Sequence, residues 1–170
     1  DWATRLVAQA RFQLGDHEGA MACATRAMLL SPDAAWANDA YRAHEAWAGF
    51  LRATAPPIAG EGLWLEPLGH QHLADFAWQY WDPEIARLCC LPVFGDDTAW
   101  HRWLDECWGY GDQRLYAVLH RDWGFVGSVS LTLHEDLGFF YYWIGRDFQG
   151  QGLGPAAVRL LLADAFDRHG

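Results

Sequence analysis

Lysine is missing from the whole chain, so all twelve basic side chains are arginine. A phosphate loop of the Walker type, which sets a lysine beside its glycines, is thereby excluded. No apolar run approaches the ~20 residues that cross a bilayer, and the first residues lack the basic stretch and apolar core of a secretory signal. A cytoplasmic protein with no membrane partner is the expectation. The four cysteines, Cys23, Cys89, Cys90 and Cys107, make no C-x-x-C pair, and the adjacent Cys89 and Cys90 are poorly placed to bridge one another. Reduced, mostly buried thiols follow. His70, His72, Cys89 and His101 could surround a zinc ion only with a spacing that fits no ligand pattern, so no metal is expected.

Positive charge is scarce as well. Residues 56–170 carry sixteen acids against seven arginines, a net of −9, whereas the first 55 residues are nearly balanced at −1. No basic face is left to neutralise phosphates along a strand, which argues against nucleic acid as a partner. The acidity either draws in a cationic substrate such as an amine or keeps the protein in solution. What is abundant is apolar: 52% of the residues are hydrophobic and only 20% charged, a composition that buries a core. A length of 170 residues allows one ordinary domain, or a small helical module attached to most of another. The chain opens on Asp1 and stops at Gly170 directly after a helical pattern, which reads as a piece of a longer protein.

Residues 1–53 are alanine-rich and read as three helices, broken at Leu14-Gly15-Asp16 and at Ser31-Pro32-Asp33. Gly15, Ala20, Ala27 and Pro32 stand at the spacing of a tetratricopeptide repeat, which this segment resembles. Thr4, Val7, Ala8 and Arg11 depart from the large residues of that repeat's first helix, and no second repeat follows. The resemblance implies a protein-docking arm; a helical hairpin that serves only for packing accounts for the same residues. Two prolines and a glycine in Ala55-Pro56-Pro57-Ile58-Ala59-Gly60 disfavour any regular element and mark a linker.

Beyond it, Leu63–Leu68 reads as a strand, His70–Tyr80 and Asp82–Leu91 as short helices, and Asp97–Trp108 as a third helix capped by Asp97. Arg114–His120, Phe125–His134 and Leu137–Gly145 follow as three strands, most simply an antiparallel meander. A last amphipathic helix spans Gly154–Arg168, with Val158, Leu161, Leu162, Ala165 and Phe166 on its apolar face.

The strongest chemical signal lies between the final strand and that helix. Gly150, Gly152 and Gly154 alternate through Gln149-Gly150-Gln151-Gly152-Leu153-Gly154-Pro155, and a helix begins at once. Glycines let successive N–H groups turn toward one point, and the helix start adds a partial positive charge there. Such a concavity suits a pyrophosphate. The spacing is not G-x-G-x-x-G, and a meander precedes it where a dinucleotide domain needs βαβ units.

Gln149-x-x-Gly152-x-Gly154 matches the Q/R-x-x-G-x-G/A motif of the GNAT superfamily of N-acetyltransferases, which the chain resembles over about residues 61–170. Leu63–Leu68, Asp82-Pro83-Glu84-Ile85, Gly124-Phe125-Val126-Gly127 and Tyr142-Trp143-Ile144-Gly145 are similar to the branch containing the ribosomal-protein N-terminal acetyltransferases. The expected fold class is α+β. A short α-helical, tetratricopeptide-like segment (1–54) and a linker (55–62) precede an incomplete GNAT fold (63–170), cut short at its C-terminus, with a mostly antiparallel mixed sheet flanked by helices.

The resemblance implies acetyl-CoA as co-substrate and an amine acceptor, joined by direct attack of the amine on the thioester. It places the coenzyme on Gln149, Gly150, Gln151, Gly152, Leu153, Gly154 and Pro155, and on the backbone of Tyr142, Trp143 and Ile144, where the family's strand bulges and splays. The family's base, often a glutamate on that strand, corresponds to Phe139, so this role is not inherited. His134, Glu135 and Asp136 could act through water or be ordinary turn residues. Asp82 and Glu84 either bind a cationic acceptor or cap a helix. A non-catalytic acyl-CoA-binding protein or interaction scaffold is the alternative reading.

Overall fold

A computed structural model describes residues 2–31, 35–89, 94–109, 113–134 and 137–169. The chain divides into two compact units, Asp1–Phe50 and Leu51–Gly170. In the first, α1 (Trp2–Gln13) and α2 (His17–Leu30) flank a short turn and α3 (Ala35–Ala53) follows. Its fully buried apolar side chains are alanines, among them Ala8, Ala20, Ala24, Ala27 and Ala37, whose single methyls let helices approach closely. Asp16 starts α2 by accepting from the Gly19 N–H at 2.9 Å.

The second unit is built on five strands: β1 (Ile58–Ala59), β2 (Leu63–Pro67), β3 (Gln113–His120), β4 (Gly124–His134) and β5 (Leu137–Ile144). They lie in the sheet in chain order and every pairing is antiparallel. The mixed character expected of the sheet is therefore absent among the described residues. Strand β1 also falls inside the segment read as linker. Pro56 and Pro57 stop just before it, and a sheet edge tolerates such neighbours while the buried Ile58 pairs with Leu65.

Helices cover both faces. On one side α4 (Leu73–Tyr80), α5 (Pro83–Cys89) and α6 (Asp97–Gly109) enclose an aromatic core that includes Phe76, Tyr80, Trp100, Trp103 and Trp143. On the other, α7 (Leu153–His169) packs Ala157, Leu161 and Ala165 onto Leu65, Val118, Val126 and Val129. The α7 stripe is rotated from the one expected: Phe166 is 70% exposed, because the close approach belongs to the small side chains at 157 and 165.

In β4 the period of two breaks once. Val118 pairs with Gly127 but Leu119 with Phe125, leaving Val126 as a bulge. Phe125 therefore enters the aromatic core while Val126 joins the α7 side with Val129 and Leu131.

The start of α6 corrects another expectation. The cap is Asp96, whose Oδ1 accepts from the Ala99 N–H at 2.8 Å, and Asp97 is already the first helical residue. Asp96→Ala is expected to cost ~1 kcal/mol in urea unfolding and Asp97→Ala much less, since only the former leaves helix donors unmet.

Candidate functional site

Strand β5 is the last of the sheet, and among the described residues its outer edge pairs with no other strand. The Gly145 N–H donates to the Val126 carbonyl at 2.9 Å. The alternation of an antiparallel ladder then turns the backbone of Trp143 inward and that of Tyr142 and Ile144 out to the open edge. In agreement, the Ile144 carbonyl is reached from outside by the Gln149 amide, at 2.8 Å. The bulge and splay implied for this strand are not seen: β4 and β5 pair without a shift from Gly127↔Ile144 to His134↔Leu137. Gly127 permits this close pairing, since a β-carbon there would run into the Trp143 carbonyl oxygen.

After β5 the chain makes a short 3₁₀ turn, Arg146–Phe148, and then the glycine run. Gly150 and Gly152 both adopt φ of 76° with open space around them, so glycine answers a conformational need. Gly154 answers a steric one, because the Tyr142 ring lies where its β-carbon would be. Among the described residues the N–H groups of Gly150, Gln151, Gly152, Leu153 and Gly154 donate to no backbone carbonyl, and the first backbone bond of α7 runs from Ala156 to Gly152 at 3.1 Å. Five successive donors at a helix start are thus left without a backbone acceptor among the described residues.

A groove of about 350 Å³ opens there. It gathers Tyr142, Trp143 and Ile144 with Gln149, Gly150, Gly152, Leu153, Gly154 and Pro155; Gln151 is exposed and does not line it. Its far wall, Ile85, Leu88 and Cys89 of α5 with Phe148, is absent from the residues expected from sequence. Nothing in the motif points to α5, which is brought in by packing of the helical layer over the sheet.

The remaining candidates lie elsewhere. His134 faces Leu137 at the far end of the hairpin, ~17 Å along the strand from Tyr142, and is not brought to the groove. Glu135 and Asp136 lie outside the described residues. Phe139, where the family's glutamate was expected, is 69% exposed. Asp82 caps α5, accepting from the Glu84 N–H at 2.9 Å, and also binds Arg146 Nε at 2.9 Å. Glu84 is held by Arg87 at 2.7 Å, which lowers its carboxyl from the ordinary range. Both acids thus have structural partners.

Burial pushes the Tyr141 phenol up to about 12 and the Cys107 thiol up to about 11, so neither supplies a base at neutral pH. The thiols are less enclosed than expected: Cys23, Cys89 and Cys107 are in no disulfide among the described residues and are half-buried, and Cys90 lies outside the described residues. The four residues weighed as a zinc set are dispersed: His70 stacks on His101 and holds Asp105, His72 turns to Glu66, and Cys89 lines the groove. No helix among the described residues is long and apolar enough to cross a membrane.

Residues 62–170 match the sequence profile of the acetyltransferase (GNAT) domain. Among solved structures, a protein assigned as an acetyltransferase from T. thermophilus is 27% identical, with a TM-score of 0.57 over 68% of this chain and 62% of that one. The ribosomal L7/L12 α-N-protein acetyltransferase RimL is 16% identical, with a TM-score of 0.57 over 66% of each chain. A GCN5-related N-acetyltransferase from Brucella melitensis is 17% identical, with a TM-score of 0.55 over 66% of this chain and 55% of that one. The last two likenesses speak to fold alone. The chain spans between 55% and 66% of the lengths of these proteins. No curated protein matches it significantly.

Proposed function

The chain belongs to the GNAT acetyltransferase family, and from that membership we propose that the protein moves an acetyl group from acetyl-CoA to a primary amine. The observation that carries this reading is the run of five N–H groups, Gly150 to Gly154, with no backbone acceptor at the mouth of α7. Their number and the helix dipole suit the two phosphates of coenzyme A. Next to them the outward N–H and carbonyl of Tyr142 and the N–H of Ile144 are available to an extended amide chain such as pantetheine, the Ile144 carbonyl being taken by Gln149, and Leu88, Ile85 and Phe148 offer it an apolar wall.

In the reaction the amine nitrogen forms a bond to the acetyl carbon, the carbon–sulfur bond breaks, the amine loses a proton and the thiolate gains one. The part assigned to this chain is positioning, with the backbone of β5 directing the thioester and donors at its edge meeting the developing oxyanion. No base is assigned to a described residue. That gap favours, as the second reading, a coenzyme-binding protein without turnover. Placement among the ribosomal-protein N-terminal acetyltransferases rests on the sequence stretches around Leu63, Asp82 and Tyr142. A docking role for the tetratricopeptide-like residues 1–54 is supported by a hollow of about 370 Å³ lined by Arg5, Gln9, Phe12, Gln13, Trp36 and Asp39.

Titrating the protein with acetyl-CoA should raise its thermal midpoint by mass action. Thiol release that depends on an added amine then marks the transferase, and a thermal shift without release marks the binding protein. No shift at all would remove both.

A further inference from the structure

Helix α4 is apolar on two faces. Leu73, Phe76 and Tyr80 enter the aromatic core, while Ala74, Ala77, Trp78 and Trp81 form a second stripe at i, i+3, i+4 and i+7. Its two indoles are not covered: Trp78 is 76% exposed and Trp81 56% exposed, whereas Ala77 packs partly against the core. Two large indoles held in water on one short helix are a cost that core packing does not explain.

The two indoles border a pocket of about 230 Å³ between α4 and the start of α6. Phe94 and Trp100 complete its aromatic lining, their rings edge to face at 4.9 Å, and Asp96 and Asp97 stand at its rim. Small side chains at 74 and 77 leave the floor open between the indoles. Asp96 spends one oxygen on the helix cap. Asp97 enters no hydrogen bond or ion pair among the described residues, and neither arginine nor histidine lines the pocket.

We infer that this pocket binds a small organic ammonium ion. Ring faces carry the negative end of an aromatic quadrupole, and tryptophan presents the strongest of them to a cation. Two carboxylates at the rim add charge complementarity that a neutral apolar guest would not need. The volume is below that of an ordinary drug-sized site, which selects a head group of a few heavy atoms. The pocket is independent of the groove over β5: α4 turns Phe76 and Tyr80 toward Trp143 and turns Trp78 and Trp81 the other way.

The test is calorimetric titration of the full chain with choline and with 3,3-dimethylbutan-1-ol, which has the same shape without the charge. Choline is expected to bind at least roughly tenfold more tightly than the alcohol. Trp78→Ala should weaken choline by a similar factor, Trp78→Phe by less, and Asp97→Asn by about threefold. Trp78 is exposed, so each variant should keep the thermal midpoint of the parent and its affinity for coenzyme A. Equal binding of choline and the alcohol, unchanged choline affinity in Trp78→Ala, or no heat of binding in the millimolar range would each overturn the inference.

Discussion

Gly152→Val is expected to weaken coenzyme A binding by ~100-fold while leaving the unliganded fold almost as stable as before. At φ of 76° a side chain is opposed by its own backbone, by ~1–2 kcal/mol for most residues and more for a branched one. The chain relieves this by rotating toward negative φ, which reorients the N–H groups of 152 and 153 proposed to hold the diphosphate. No atom lies within 4 Å of the added β-carbon, so the damage stays in the turn and spares the core. Calorimetry with coenzyme A, read beside the thermal midpoint of the free protein, separates the two effects. Full affinity in this variant would mean that the glycine turn does not hold the diphosphate.

The largest effect on stability is expected from Phe76→Ala. This ring is 1% exposed and stands among Trp143 at 5.0 Å, Trp100 and Trp103 at 5.5 Å, Tyr80 at 5.7 Å and Phe125 at 6.3 Å. Truncation leaves a cavity that such rigid rings fill poorly, at ~3–5 kcal/mol. A domain holds only ~5–15 kcal/mol in total, so the urea midpoint of the second unit should collapse. Because Trp143 belongs to the groove strand, coenzyme binding should fall with it. Phe139→Ala, on an exposed ring of the same sheet, should change stability by no more than about 0.5 kcal/mol.

Element order was legible in the sequence because its punctuation is local. Gly15 and Ser31 end helices, Asp82-Pro83 opens one, and the Gly150–Pro155 run separates β5 from α7. The details that escaped depend on geometry between distant residues. Asp96 and Asp97 are the same amino acid side by side, and only the bond to Ala99 distinguishes cap from first turn. The bulge at Val126 inserts one residue between two stretches that each alternate regularly, so a period of two fits either side and fails across it. Phe166 looked like part of an apolar face because hydrophobicity was weighed without size, whereas alanines set how near α7 lies to the sheet. At the groove, the glycine run was legible as a turn before a helix, but Ile85 and Leu88 arrive from a helix some sixty residues earlier.

The open side of β5 serves two opposed demands. A strand that would lend its amides to a thioester, as proposed, is equally able to lend them to any extended polypeptide, and here Leu137, Phe139, Phe140 and Tyr142 add greasy exposed surface to the invitation. The surplus of carboxylates in residues 56–170 opposes that hazard, since like-charged copies repel before their borders can zip together. Ionic strength, which screens such repulsion, therefore governs whether this border stays open or gums the molecules into stacks.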